Sequence, residues 1–88
     1  MAWFVYFLRN EQGNVYVGYT GRDPRIRLAE HNDGLNRWTR VRRPWALAYF
    51  EEHISKSDAM ARERYFKTGI GREKRDELLK TTCSQLSG

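Results

Sequence analysis

Five polar side chains carry most of the chemistry this chain can offer: Tyr6, Tyr16, Arg27, His31 and Glu63. The two phenols lie ten residues apart in short aromatic and β-branched segments, Phe4-Val5-Tyr6 and Tyr16-Val17-Gly18. Such residues suit a pleated surface and predict strands. Asn10-Glu11-Gln12-Gly13 between them is a hairpin signal. Directly opposed residues of an antiparallel pair point to one face, so a register that sets position 6 against position 16 puts the phenols side by side. A slip of one residue would separate them.

Arg27 and His31 stand four residues apart, hence on one face of a helix. A guanidinium there could stabilise charge building on phosphate oxygens, while an imidazole could accept a proton or orient a water. A phenol ionises near pH about 10, so a tyrosine acting as general base needs neighbouring cations or metal-bound water. Gly18 would let a phosphate or another strand approach the backbone, and Tyr19 beside it could touch substrate.

Glu63 is the anomalous carboxylate. At about 100° per residue, positions 59, 63, 66 and 70 share one helical stripe, and the other three are Ala59, Phe66 and Ile70. A carboxylate against a core needs a compensating partner. An arginine such as Arg62 or Arg27 is one choice. A divalent cation is the other, since one carboxylate with waters and a substrate phosphate is a usual way to hold Mg²⁺.

The elements that must position these groups follow from local signals. Asp23-Pro24 opens a first helix expected to reach Asn32, and Asp33-Gly34 ends it. Residues 35–43 read as an irregular basic loop. Trp45 to Glu51 reads as a third strand, with Trp45, Leu47 and Tyr49 alternating against Ala46 and Ala48. Ser55 to Asp58 is a capping box for a second helix over 56–68. Gly69 and Gly71 interrupt it, and a third helix over about 72–81 turns Leu78 and Leu79 inward. The expected architecture is α+β, a three-stranded antiparallel sheet flanked by helices in the order β-β-α-β-α-α. One domain is expected over 1–82, with a flexible tail over 83–88.

The formal net charge is +5, and twelve of the sixteen basic residues are arginine, whose planar fork matches phosphate. Arg37, Arg40, Arg42 and Arg43 fall within seven residues, interrupted by Trp38 and by no acid. A basic segment carrying an aromatic is suited to a nucleic-acid backbone; a solvated charged loop is the plainer reading. The single cysteine, Cys83, allows neither a disulfide framework nor a cysteine metal cluster. No secretory pattern is present, and no apolar run approaches the roughly 20 residues that cross a bilayer. The expectation is a cytoplasmic protein with no membrane association.

In order and spacing, these strings resemble the GIY-YIG nuclease superfamily, in the form of a small stand-alone member over about residues 3–80. Phe4-Val5-Tyr6 and Tyr16-Val17-Gly18 stand where the two signatures would be, and the stretch from Thr20 through Arg27 and His31 to Asn32 resembles the helix that follows. Arg43-Pro44-Trp45, Glu51, and Ala61-Arg62-Glu63 with Lys67 resemble the later part. The resemblance implies phosphodiester cleavage with one Mg²⁺ or Mn²⁺ on Glu63, Arg27 neutralising the scissile phosphate, and Tyr6 or Tyr16 activating water with help from His31. Tyr6 is the preferred base and Tyr16 a positioner. Arg37, Arg40, Arg42, Arg43 and Lys67 would contact DNA, with branched, nicked or single-stranded forms as candidate substrates and repair or recombination as the setting. Phe4 departs from the glycine of the first signature. Family members also tend to carry a recognition domain, so a targeting protein partner is implied. The rival readings are a non-catalytic nucleic-acid adaptor or subunit that retains the fold, and a protein-interaction domain with a basic face.

Overall fold

The hairpin forms where its turn residues place it. In the computed structural model, which describes residues 2–87 and side chains as far as residue 80, strands β1 (Trp3–Arg9) and β2 (Val15–Thr20) run antiparallel. The Asn10 side chain closes the turn, its Oδ1 accepting from the Asn14 amide at 2.8 Å. Gly13 takes φ of +87°, which a residue without Cβ adopts freely. Strand β3 (Ala46–His53) joins the other edge of β1, giving the order β2-β1-β3. Val5, Tyr6, Phe7 and Leu8 of the central strand are all buried, as expected of a strand covered on both faces.

Helices α3 (Lys56–Phe66) and α4 (Gly69–Ser87) cover one face, where Val5, Phe7 and Val17 pack with Ala59, Phe66 and Leu79. Tyr6, Leu8 and Trp45 pack on the other face with Tyr16, Leu47 and Leu28, the last from α1 (Pro24–Asn32). A one-turn helix α2 (Arg37–Arg40) follows α1. The sheet is therefore flanked by helices, and the α+β architecture read from the sequence is the one observed.

The caps are those expected. Asp23 Oδ1 accepts from the Arg25 amide at 2.9 Å, and Gly34 turns the chain at φ +87°. Ser55 Oγ accepts from the Asp58 amide at 3.1 Å.

Four local expectations are corrected. Residues 35–43 are not wholly irregular, because the Asn36 side chain accepts from the Trp38 and Thr39 amides and starts α2. The alternation in β3 breaks at an irregularity opposite Phe7 and Leu8, so Leu47 joins the Tyr6 face while Tyr49 stacks on Phe7 across the sheet. Helix α3 ends at Phe66, which leaves Ile70 exposed rather than on the Glu63 stripe. Helix α4 starts at Gly69, three residues before the expected start. A Cβ at Gly71 would lie 1.7 Å from the Tyr65 carbonyl oxygen, so glycine lets the two helices meet closely. The expected tail over 83–88, with Cys83, falls on residues whose side chains lie outside the described set.

Candidate active site

The register sets Tyr6 opposite Gly18 and Tyr16 opposite Leu8, two residues from the pairing expected. A shift of two keeps the face, so both phenols still lie together, with ring centroids 6.3 Å apart. Gly18 has a different role from the one expected. A Cβ there would lie 2.6 Å from the Tyr6 hydroxyl, so the missing side chain makes room for the phenol itself. Tyr19 pairs with Val5 and packs against the opposite core, which takes it away from the two phenols.

His31 on α1 meets the Tyr6 hydroxyl through Nε2 at 3.1 Å and Thr39 Oγ1 through Nδ1 at 2.8 Å. Its ring also lies 4.7 Å from that of Tyr16. The Arg27 guanidinium, one turn earlier, acts electrostatically on the Tyr6 phenol and pairs with Glu30. Glu30 in turn accepts from Arg22 Nη2 with both oxygens, at 2.9 and 3.0 Å. Arg27, Glu30 and His31, with Leu35 and Asn36, line a cleft of about 90 Å³ that opens this network to solvent.

Electrostatics favour the uncharged forms of the central pair. Burial pushes the Tyr6 hydroxyl up to about 12, against the pull of the nearby Arg27. Burial also raises Tyr16, with the Arg27 charge opposing and the Glu63 charge adding. Tyr16 thus feels both ends of the site. Burial, then the positive charge of Arg27, lowers His31 below its ordinary 6.5, with Glu30 opposing.

Glu63 on α3 is partly shielded, its side chain 18% exposed, and pairs with Lys67 at 3.5 Å rather than with Arg62 or Arg27. Arg62 instead bonds Glu51 at 2.9 Å and lies over the Phe66 ring. Glu51 also accepts from Tyr49 and His53, each at 2.6 Å, so this cluster joins α3 to β3 as a structural element. Among the described residues, no three His, Cys, Asp or Glu side chains gather to hold an ion. A cation held there would have one protein ligand, Glu63, and would complete its shell with water and phosphate.

The basic run divides. Arg42 Nη1 bonds the Trp38 carbonyl at 2.8 Å and its guanidinium lies 4.1 Å over the Trp38 ring. Arg43 reaches the Asn32 carbonyl at 3.4 Å. Both brace the segment, while the exposed Arg37 and Arg40 lie on α2. The geometry adds Thr39 and Glu30 to the residues expected, and Trp38 is the aromatic noted within the basic run. Thr39 carried no signal, while Glu30 was legible as the i+3 partner of Arg27.

A family model described as the GIY-YIG catalytic domain matches residues 2–76. A UPF0213 protein of Staphylococcus aureus is 40% identical over 78 residues, covering 88% of this chain and 93% of that protein. One from Staphylococcus epidermidis is 38% identical over 72 residues, covering 81% of this chain and 87% of that one. The solution NMR structure of a UPF0213 protein from Bacillus halodurans aligns with a TM-score of 0.53 at 32% identity, covering 89% of this chain and 85% of that one.

Proposed function

Because the chain belongs to the GIY-YIG family and so carries a nuclease-type domain, we propose that it is a divalent-metal-dependent endonuclease that hydrolyses DNA phosphodiester bonds. The observation that carries this reading is the hydrogen-bonded line from Tyr6 through His31 to Thr39, set beside Arg27 and Tyr16.

The line has a direction. A neutral imidazole carries one N–H, so the ring nitrogen that does not donate accepts, and the Tyr6 hydroxyl has a proton to give. The Thr39 hydroxyl donates to the Asn36 carbonyl at 3.4 Å, so its oxygen accepts from His31 Nδ1–H. His31 therefore presents a lone pair to Tyr6. In cleavage, the Tyr6 oxygen takes a proton from the attacking water while its own proton passes to His31 Nε2. No free phenolate is needed, which answers the high pKa of the buried phenol.

Arg27 neutralises charge on the scissile phosphate, released by the substrate from its pairing with Glu30. Tyr16 positions the phosphate. Glu63 would hold Mg²⁺ or Mn²⁺, which when bound supplies Lewis-acid stabilisation of charge on the phosphate and leaving oxygen. Arg37, Arg40 and Lys67 contact the DNA backbone, with Arg42 and Arg43 holding the segment in shape. The substrate on this reading is selected by DNA structure, in branched, nicked or single-stranded form, with a targeting protein partner. A cytoplasmic setting in DNA repair or recombination suits this reading. The described residues contain no helix long and apolar enough to cross a membrane.

Incubation of purified protein with labelled duplex, flap and junction DNA, with Mn²⁺ or with chelator, tests the proposal. Cleavage of at least one substrate, abolished by chelator, is expected. Binding without cleavage in every arm would replace the nuclease with an adaptor.

A further inference from the structure

A second recess lies along β2, the edge strand of the sheet, and shares Tyr16 with the site just described. Its volume is about 320 Å³. Tyr16, Val17 and Trp38 line it together with Lys67, Arg72 and Arg75, of which Lys67 also pairs with Glu63 at 3.5 Å and Arg75 with Asp76 at 3.2 Å. No carboxylate lines it. Trp38 is 42% exposed, yet it is held in place by Arg42 over its ring at 4.1 Å and by Trp45 and Tyr16 at centroid distances of 5.8 and 6.2 Å. A part-exposed indole that lines one recess with three cationic side chains suits a ligand that is both planar and anionic. Recesses of about 300 Å³ accommodate small organic ligands, so a nucleotide has room.

Within duplex DNA the base faces are stacked inside the helix, whereas an unpaired nucleotide can offer one to an aromatic side chain along the strand. The recess adjoins the cleavage centre at two points, Tyr16 and the Lys67–Glu63 pair at 3.5 Å. We propose that this groove binds an unpaired DNA nucleotide next to the scissile phosphate, its base against Trp38 and its flanking phosphates on Lys67, Arg72 and Arg75. The proposal rests on the nuclease reading for the position of the scissile phosphate. It makes the enzyme selective for a junction between duplex and single strand. Arg72 and Arg75 lie on α4, far in sequence from the basic run that the composition points to.

The test is equilibrium binding of the full chain in chelator, by fluorescence anisotropy, to a blunt duplex and to the same duplex with a single-stranded overhang. Wild type is expected to bind the overhang at least about tenfold more tightly. Trp38→Leu, which keeps apolar packing but removes the ring, should erase most of that ratio, and Trp38→Phe should preserve much of it. Arg72→Ala with Arg75→Ala changes side chains outside the buried core and should also reduce the ratio. Equal binding of both DNAs by wild type, or an unchanged ratio in Trp38→Leu and in the double arginine variant, would overturn the groove. Wild-type cleavage in Mn²⁺ is scored separately: an absent ratio with cleavage intact removes the groove alone, and a ratio without cleavage removes the nuclease reading alone.

Discussion

The Tyr6 hydroxyl and His31 Nε2 lie 3.1 Å apart, and each residue is only 1% exposed. Burial favours the protonated phenol and the neutral imidazole, so at neutral pH the pair is uncharged with the proton on the oxygen side. The Thr39 hydroxyl, which donates to the Asn36 carbonyl, fixes which nitrogen of His31 donates and which accepts.

Gly18 is the first test of that arrangement. Gly18→Ala would place a methyl 2.6 Å from the Tyr6 oxygen and 2.7 Å from Cζ. Overpacking of this kind costs about 1–3 kcal/mol, and each kcal/mol lowers the Tm of a chain this size by about 4–8 °C. Cleavage should fall as well, because the phenol must leave His31. Gly69→Ala, whose Cβ meets nothing within 4 Å, is the control. Wild-type Tm and cleavage in Gly18→Ala would show that the phenol does not need that space.

Thr39 should act on rate rather than binding. Thr39→Val keeps the volume but removes the acceptor for His31 Nδ1–H, at a cost to stability of about 1 kcal/mol. The kcat is expected to drop about ten- to a hundredfold as the imidazole loses its fixed tautomer. KM should stay within about twofold, and Thr39→Ser should restore the rate. Full activity in Thr39→Val would take Thr39 out of the relay.

The pH dependence has a definite sign. His31 in the folded chain binds its proton less readily than at its ordinary 6.5, so the unfolded chain takes up more protons as pH falls below that value. Stability from this group is present above pH 6.5 and is lost as pH falls towards the depressed folded value. The groups facing the ring are Tyr6, Tyr16, Thr39, Arg27 and Glu30, and Glu30 stays ionised there because Arg27 and Arg22 lower its pKa. Cleavage should decline over the same window, since a protonated Nε2 cannot take the Tyr6 proton. Thermal melts at stepped pH should show a shallower dependence in His31→Asn. An identical slope would mean that His31 is not the titrating group.

The four arginines of the basic run should separate into contacts and braces. Replacing Arg37 and Arg40 by alanine should leave Tm nearly unchanged and reduce the salt slope of DNA binding by about 2. Replacing Arg42 and Arg43 should lower Tm too, because their side chains hold the Trp38 and Asn32 carbonyls. Equal effects of both pairs on Tm would remove the distinction.

Local signals made much of this legible. The hairpin, the Asp23 and Ser55 caps and the Gly34 stop depend on neighbours within a few residues, and each appears where its residue type puts it. The shared face of Tyr6 and Tyr16 survived a register different from the one expected, because side-chain direction in a strand depends only on parity. Long-range contacts were not legible. Nothing near Thr39 announces that its hydroxyl meets His31, and nothing near Arg72 and Arg75 announces that they line one recess with Trp38. The break in β3 that parts Leu47 from Tyr49 arises from its pairing with β1, which sequence alternation cannot contain.

The most direct measurement is Mn²⁺-dependent cleavage by Glu63→Gln beside its DNA binding in chelator. Glutamine keeps the shape of the side chain while removing the charge that would hold the ion, and loss of several kcal/mol of charge stabilisation corresponds to at least about a hundredfold in rate. The account predicts cleavage reduced by at least that factor, with Tm and DNA affinity close to wild type. Cleavage by Glu63→Gln at the wild-type rate would contradict it.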